Sequence, residues 1–200
     1  MLDDFYIEPI SNENHVNDFG MGDVEFLPLK TFLRNQALDF QNLMLAQTYV
    51  VVPKSEENKK SRKVVGYITL TCSEIDLRDY TDYVVAEDCP QANSYEALPA
   101  VKIARLAVHK KYRFNKETGR SYGIGQFLIQ YAVSLCLNEI TNQIGCRFLI
   151  TNAKPSAFSF YEKCNFVFVE TEENMNREHP VMFVDLKAIK DELALLAKQM

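Results

Sequence analysis

Residues 105–125, RLAVHKKYRFNKETGRSYGIG, join a strand to a helix through a basic loop that ends in a pair of glycines. The apolar run 100–108 predicts the strand, and a long helix is predicted directly after the glycines. A glycine turn at such a junction lets backbone N–H groups converge on a phosphate, and the unpaired donors and dipole of a helix start favour negative charge. The stretch Arg120–Gly125 is therefore a candidate phosphate-binding loop, with Arg120 supplying positive charge.

Two familiar glycine loops do not fit this spacing. No Lys-Ser or Lys-Thr pair follows Gly125, as a Walker loop requires, and Gly123-x-Gly125 does not extend to the GxGxxG pattern. Taken alone, Gly-x-Gly before a helix is a weak signal, and it is more typical of a tight packing turn. Its interpretation depends on the elements around it.

Downstream, hydrophobic spacing predicts the second half of an α/β fold. Apolar residues at three- and four-residue steps give the helix one broad stripe that should pack on a sheet, namely Ile124, Phe127, Leu128, Tyr131, Ala132, Leu135 and Cys136. A short buried strand follows at 147–151. Pro155 then opens a short helix that ends near Asn165, a residue that tolerates the left-handed conformation of a helix stop. The runs 166–169 and 181–185 predict a closing strand pair.

Upstream, the runs 49–52 and 64–70 predict a hairpin around the polar, solvated loop 54–63. Residues 29–44 predict one amphipathic helix, with its apolar face formed by Leu29, Phe32, Leu33, Ala37, Phe40, Leu43 and Met44. Between 76 and 99 no period is visible, which indicates a long connection.

These elements predict one mixed α/β domain over residues 1–200, in which an antiparallel first half adds strands to the sheet of the second half. Residues 186–200 are predicted to form an amphipathic C-terminal helix, docked on the domain or on a partner. With 200 residues, of which 47% are hydrophobic, the chain can bury a core without disulfides or metals.

The composition of the chain bears on metal binding, on disulfides and on the cellular compartment. The five cysteines form no CxxC pair, and the three histidines are not near them at metal-ligand spacing, so neither a zinc site nor a disulfide framework is indicated. The acidic N-terminus does not resemble a signal peptide, and no apolar run is long enough to cross a bilayer. We therefore expect a cytoplasmic protein that does not associate with a membrane. A net charge of -5 argues against broad attraction to nucleic acid, although a local basic face is compatible with it.

The order of these features resembles the coenzyme A loop of the GNAT acetyltransferases. Arg120-x-x-Gly123-x-Gly125 follows the strand 105–108, and FYEKCNF at 160–166 is similar to their later FYxxxGF segment. The resemblance covers a coenzyme-binding core of about 64–169. It implies an α/β GNAT-type domain whose mixed, mostly antiparallel sheet contains two splayed parallel central strands flanked by helices.

This sequence departs from the family pattern in two places. The loop between Val108 and Arg120 is longer than usual, so Arg113 is a further candidate for the phosphate contact. Asn165 replaces the usual glycine, which is tolerable because asparagine adopts left-handed backbone angles.

The resemblance implies acetyl-CoA as co-substrate and no metal. The residues implied to contact the coenzyme are Leu106, Ala107, Val108, Arg113, Arg120, Ser121, Tyr122, Gly123, Ile124, Gly125 and Asn152. The first three would present backbone groups to the pantetheine amides, and 120–125 would hold the pyrophosphate mainly through main-chain N–H donors. From the residues alone, Asn152 fits equally well as a cap for the helix entered at Pro155.

By the same resemblance, Tyr161 is the general acid that protonates the departing thiolate. A phenol with a pKa of about 10 is protonated at neutral pH and can donate to sulfur. The alternative is that Tyr161 is one aromatic residue of a packed helix. A backbone N–H of Leu106 or Ala107 is the candidate donor for the developing oxyanion.

No comparable general base is evident. The strand before the loop offers Lys102 and Arg105 where many relatives place a carboxylate, so a water chain is the expected route for the amine proton. Glu74 and His109 are weaker candidates, because charged residues of this kind usually lie at the surface.

The first half is similar to the toxin subgroup of the family. The matching segments are HVNDFG at 15–20, FLRNQA at 32–37, TYVV at 48–51, GYITL at 66–70 and RLAV at 105–108. This implies the amino group of a charged tRNA as the acceptor and a ribbon-helix-helix antitoxin as a partner. Self-association to a homodimer is a further option that the sequence leaves open. A local basic patch for such an acceptor is offered by Lys110, Lys111, Arg113, Lys116 and Arg120.

Other functions stay open at this point. The acceptor amine can belong to a small molecule, a peptide or a protein N-terminus. A catalytically silent acetyl-CoA-binding regulatory module is a further alternative, which the presence of both the loop and Tyr161 disfavours.

Overall fold

The strands of the protein follow the apolar runs of its sequence. The structure is a computed structural model, and it describes residues 2–22, 24–76, 91, 94–95, 97–114 and 121–199. Most of the predicted connection 76–99 lies outside these ranges, and so does Arg120.

The strands are β1 (Phe5–Pro9), β2 (Asn14–His15), β3 (Gln47–Pro53), β4 (Arg62–Lys63), β5 (Gly66–Ile75), β6 (Leu98–Val108), β7 (Phe148–Asn152), β8 (Val167–Phe168) and β9 (Val181–Asp185). The α-helices are α1 (Leu27–Asn35), α2 (Ala37–Asn42), α3 (Ile124–Leu135), α4 (Thr141–Gln143), α5 (Phe158–Glu162), α6 (Glu172–Met175) and α7 (Leu186–Gln199). Seven strands form a mixed, mostly antiparallel sheet in the order β1-β3-β5-β6-β7-β9-β8, while β2 pairs with β4 in parallel. This is the predicted fold class, a mixed sheet flanked by helices.

The chain divides into two compact units, which we describe separately. The first unit contains Met1–Thr71 and Ile103–Tyr131, and the second contains Cys72–Lys102 and Ala132–Met200. The single domain over 1–200 stays a prediction.

In the first unit, the predicted hairpin is confirmed. β3 pairs with β5 in antiparallel register, with Val50 opposite Tyr67, and β1 adds to the other edge of β3. Apolar side chains from strands, from α1 and α2 and from the loops between them form its core, namely Ile10, Phe19, Met21, Phe32, Leu33, Ala37, Val50, Val52, Val64, Tyr67 and Ala107. The Tyr67 hydroxyl donates to the Leu29 carbonyl at 2.7 Å, which ties β5 to α1.

The single helix predicted over 29–44 is wrong, because the chain leaves helical geometry at Gln36 and forms α1 and α2 instead. Leu43 and Met44 do not belong to the apolar face, since their side chains are 67% and 95% exposed. Met44 adopts a left-handed backbone with φ 57°, where the chain turns toward β3. Apolar spacing gives the same pattern for one helix and for two short helices that share a face, so it does not reveal this break.

Gly66 controls how closely α3 approaches the sheet of the first unit. A Cβ at this position would lie 2.6 Å from Cγ2 of Ile124, the first residue of α3, and 3.5 Å from the Ala107 carbonyl oxygen. Ile124 is 1% exposed and branched at Cβ, so it has little freedom to move aside. The missing side chain at Gly66 thus fixes the place where α3 begins.

In the second unit, β8 pairs with β9, as predicted for the closing strands, and β7 pairs with the other edge of β9; both pairs are antiparallel. The Arg147 N–H donates to the Pro99 carbonyl at 2.8 Å, so β6 and β7 begin side by side and run in parallel. Arg147 also forms a bidentate ion pair with Asp185, at 2.8 and 2.7 Å. The core consists of Ile75, Leu98, Ala100, Phe148, Ile150, Val169 and Phe183.

The C-terminal helix is confirmed as α7. Leu186 is buried, whereas Leu193, Leu195 and Leu196 are each more than half exposed. Among the described residues, no helix combines the length and the apolar character that a membrane crossing needs.

Substitution of Gly66 by alanine should lower the free energy of unfolding by about 1–3 kcal/mol, because the new methyl group overlaps Ile124 and forces α3 away. Urea unfolding measures the change. Gly145→Ala is the matched control, since nothing lies within 4 Å of a Cβ at Gly145. Equal stability of the two variants would contradict the close approach.

Candidate functional site

The glycine loop of the first unit forms a helix start of the kind that binds phosphate. Gly123 has φ +70°, and its carbonyl accepts the first helical hydrogen bond of α3 from Phe127 N–H at 2.9 Å. The Gly123 N–H donates to Ser121 Oγ at 3.2 Å, which closes the turn. Gly123 therefore lies directly before the helix. Its left-handed backbone conformation is one that residues other than glycine and asparagine rarely adopt.

The N–H groups of residues 124–126 precede the first helical donor, Phe127 N–H, so the helix itself offers them no partner. These groups lie at the positive end of the α3 dipole, where an anion is stabilised. Ser121 and Tyr122 are exposed beside them, while Ile124 anchors the turn in the core. The structure thus brings together the predicted loop residues 121–125.

The end of β6 is held by Arg113. Its Nε donates to the Val108 carbonyl at 2.8 Å, and its guanidinium carbon lies 4.8 Å from the centre of the Phe26 ring. Ala107 is 3% exposed, and its neighbours Leu106 and Val108 are half-buried. The side chain of Arg113 therefore braces the strand end in this conformation, a contact that the sequence did not indicate.

In the second unit, Tyr161 lies on α5 and is 7% exposed. Burial raises the pKa of the Tyr161 phenol, and a side-chain hydrogen bond with Thr151 on β7 only partly offsets this. Because burial favours the neutral form, the phenol keeps its proton at neutral pH. A protonated, oriented phenol at neutral pH is what proton donation to a thiolate requires.

The turn after α5 fixes Tyr161 from the other side. Asn165 has φ 64°, Phe166 N–H donates to the Tyr161 carbonyl at 3.0 Å, and Asn165 N–H donates to the Glu162 carbonyl at 3.0 Å. These two bonds define a Schellman helix stop, and the rings of Tyr161 and Phe166 pack 5.2 Å apart as its hydrophobic contact. The predicted role of Asn165 as a left-handed helix stop is confirmed.

Asn152 does not cap the short helix that follows it, because that helix is preceded by Lys154 and has no side-chain cap. Its Nδ2 instead donates to the His179 carbonyl at 3.2 Å. Asn152 also lines a cavity of about 490 Å³ in the second unit, together with Glu74, Lys102 and Ile150. Since side chains alternate along β7, this cavity lies on the face opposite Thr151 and Tyr161.

Arg105, which stands where many relatives have a carboxylate, and His109, a weaker base candidate, both make structural contacts. Arg105 stacks over the Phe32 ring at 3.7 Å, which is a structural contact in the core of the first unit. His109 is engaged at both nitrogens, since Nδ1 accepts from Lys111 N–H at 3.2 Å and Nε2 lies 3.3 Å from the Asp18 carbonyl. Burial lowers the pKa of His109, so the ring is neutral and structural. Among the described residues, no cluster of His, Cys, Asp and Glu is arranged to hold a metal ion.

The fold matches three solved structures at low sequence identity. AtaT complexed with acetyl-methionyl-tRNAfMet is 20% identical with a TM-score of 0.74, over 95% of this chain and 99% of AtaT. A tyrosine-to-phenylalanine mutant of KacT is 19% identical with a TM-score of 0.72, over 94% and 98% of the two chains. A mutant AtaT toxin bound to the C-terminus of the antitoxin AtaR and to acetyl-CoA is 20% identical with a TM-score of 0.68, over 96% and 99%.

The chain has the GNAT fold. No protein-family model matches the sequence, and no curated protein does. The GNAT likeness therefore rests on the arrangement of elements over nearly the whole chain, with the glycine loop and Tyr161 in the order that the sequence predicted.

Three supporting residues escaped the sequence analysis. Thr151 hydrogen bonds with Tyr161 across elements ten residues apart, Arg113 turns back to the Val108 carbonyl, and Phe5 reaches the glycine loop from the N-terminal strand. Thr151 and Phe5 lie in strands, where a threonine or a phenylalanine is ordinary, so their residue types carry no signal for these contacts.

Replacing Asn165 by alanine should destabilise the protein by about 1 kcal/mol, because alanine pays the steric cost of left-handed backbone angles. Asn165→Gly keeps the conformation without that cost and is the matched control. Urea unfolding of both variants tests this. If alanine is tolerated as well as glycine, the Schellman stop does not hold α5 in solution.

Proposed function

We propose that this chain is an N-acetyltransferase that moves the acetyl group of acetyl-CoA to a primary amine, and that the acceptor is the amino group of an aminoacyl-tRNA. The observation that carries the enzymatic proposal is Tyr161, a buried and hydrogen-bonded phenol with a raised pKa on the short helix after β7. The acceptor is suggested by the likeness to AtaT, which was solved with acetyl-methionyl-tRNAfMet.

The donor is held mainly by the first unit in this proposal. The N–H groups at the start of α3, with Ser121 and Gly123 shaping the turn, bind the pyrophosphate, and Arg120 adds its charge. Backbone groups of Leu106 and Ala107 pair with the pantetheine amides. The Val108 carbonyl is already taken by Arg113, so Arg113 acts by bracing this strand end and by its positive charge.

The reaction then follows from the chemistry of a thioester. The neutral amine attacks the carbonyl carbon, a C–N bond forms, and the C–S bond breaks with the electron pair leaving on sulfur. The phenol of Tyr161 gives its proton to the thiolate, and the proton of the amine leaves through water. A backbone N–H of Leu106 or Ala107 stabilises the oxyanion that forms between these steps.

For a tRNA body, Lys110 and Lys111 are exposed on the first unit and offer phosphate contacts despite the net charge of -5.

An antitoxin that binds this chain, a homodimer and a cytoplasmic location belong to the same proposal. AtaT was solved with the C-terminus of AtaR, which supports an antitoxin partner here. The other acceptors, a small amine, a peptide or a protein N-terminus, are separated from charged tRNA by a turnover screen. A silent acetyl-CoA-binding module would bind the donor without transferring its acetyl group.

Tyr161→Phe should lower kcat by about 10²–10⁴-fold, because the thiolate then leaves without its proton donor, while the affinity for acetyl-CoA stays close to that of the native protein. Since burial raises the pKa of Tyr161 above the ordinary value of 10.0, kcat of the native protein should not fall on the alkaline side until above pH 10. A steady-state thiol-release assay across pH measures both effects.

The control for that experiment is Tyr95→Phe, which makes the same chemical change at a side chain that is 68% exposed. It should leave kcat unchanged. Unchanged turnover in Tyr161→Phe would remove Tyr161 from the mechanism.

The acceptor is tested by incubating the protein with acetyl-CoA and either charged tRNA, polyamines or peptides. We expect acetylated aminoacyl-tRNA by mass spectrometry, and growth arrest when the protein is expressed alone. Harmless expression with acetylation of polyamines or peptides would refute the tRNA acceptor. Absence of acetyl-CoA binding in isothermal titration would refute the enzyme itself.

A further inference from the structure

Three aromatic rings meet at the glycine loop of the first unit. The Tyr122 ring lies 5.1 Å from that of Tyr112 and 6.2 Å from that of Phe5, and the rings of Phe5 and Tyr112 are 5.9 Å apart. Both contacts of Phe5 are edge-to-face, at 86° and 90°. The three rings thus form a closed triangle, contributed by β1, by the 3-10 turn Lys110–Tyr112 and by the loop.

The three rings differ in exposure. Phe5 is 8% exposed and Tyr112 is half-buried, whereas Tyr122 is 38% exposed. The two inner rings hold Tyr122 through protein contacts, so its orientation does not depend on a ligand. An aromatic ring fixed on one side and open on the other is a preformed stacking surface.

The need to bind a pyrophosphate does not explain this ring. Backbone N–H groups bind phosphate, and the turn needs a small residue with positive φ at Gly123. A large exposed side chain immediately before it adds nothing to those contacts. The open face of the ring is therefore available to a second ligand group beside the phosphates.

We propose that the Tyr122 ring, held by Phe5 and Tyr112, is the surface on which the adenine of acetyl-CoA stacks. This rests on the proposed function, and it assigns a part of the donor that the loop and Tyr161 leave unbound. The adenine is joined to the pyrophosphate through one ribose. Tyr122 lies two residues before Ile124, at most about 7 Å along the chain, so a base that follows the phosphates comes within reach.

The charge of the site favours this arrangement. A purine stacks on an aromatic face without needing an ionic partner, and the phosphates next to it meet the positive end of α3. The hydroxyl of Tyr122 is not needed for stacking, so a phenylalanine should serve equally well.

The test compares two donors in isothermal titration with the full chain. Acetyl-CoA carries the adenine, whereas S-acetyl-4′-phosphopantetheine keeps one phosphate and lacks the whole adenosine 3′,5′-bisphosphate part. The dissociation constant of S-acetyl-4′-phosphopantetheine divided by that of acetyl-CoA reports the contribution of this part, and the change of the ratio in a Tyr122 variant reports the share that depends on the ring. Tyr122→Ala should reduce this ratio by about fivefold to a hundredfold, the range expected for loss of one stacked base, whereas Tyr122→Phe should preserve it.

Two further variants keep the result interpretable. Tyr95→Ala removes an equally large exposed tyrosine from the second unit and should preserve the ratio. Tyr122→Leu retains an apolar contact with Phe5 and Tyr112 but has no π face, so it should reduce the ratio even if Tyr122→Ala does not fold.

Several outcomes would overturn the proposal. A ratio unchanged by Tyr122→Ala and Tyr122→Leu would show that the adenine does not stack on this ring. Equal weakening of both donors would assign Tyr122 to shaping the loop. Unchanged donor binding with reduced transfer to charged tRNA would assign the ring to a base of the acceptor. If the native protein bound neither donor, the proposed function would fall, whereas loss of the ratio effect alone leaves that function intact.

Discussion

The contact between Gly66 and Ile124 sets the position of the candidate phosphate site. An α-helix can present its first N–H groups to a ligand only if its start is fixed, and here the first residue of α3 is pressed against the backbone of β5. The positive φ of Gly123 then turns the chain into that helix. The two glycines therefore have different roles. Gly66 leaves room for Ile124 because it has no side chain, and Gly123 adopts the positive φ that the turn needs. Only the second belongs to the motif that is visible in the sequence.

Tyr161 depends on a comparable arrangement in the second unit. The Schellman stop at Asn165 ends α5 after a single turn and packs Phe166 on the tyrosine, while Thr151 orients the hydroxyl. Burial keeps the phenol protonated because the phenolate would lose its hydration. The side chain is thus held in one protonation state and one direction, which are the two conditions for a proton donor.

Much of this was predictable, for physical reasons that differ between elements. The strands β5, β6 and β7 and the helix α3 are marked by their apolar periods, and Asn165 by the special conformation it tolerates. The break at Gln36 could not be seen, because two short helices with a common face have the period of one. Thr151 and Arg113 could not be assigned their contacts either, since each bonds to an element that is close in space but is not marked by any spacing. The resemblance to the GNAT family supplied what the residues alone left open, which was the meaning of a weak glycine turn.

The bond from Arg113 to the Val108 carbonyl has a consequence for how the chain can vary. The bond joins the Arg113 side chain to the backbone five residues earlier. The end of β6 is therefore fixed before the chain continues toward the glycine loop. Insertions or deletions beyond Arg113 should not displace the end of the strand, because the Arg113 side chain holds it through the hydrogen bond to Val108. Changes in the chain beyond Arg113 should therefore leave the backbone groups at the end of β6 in place.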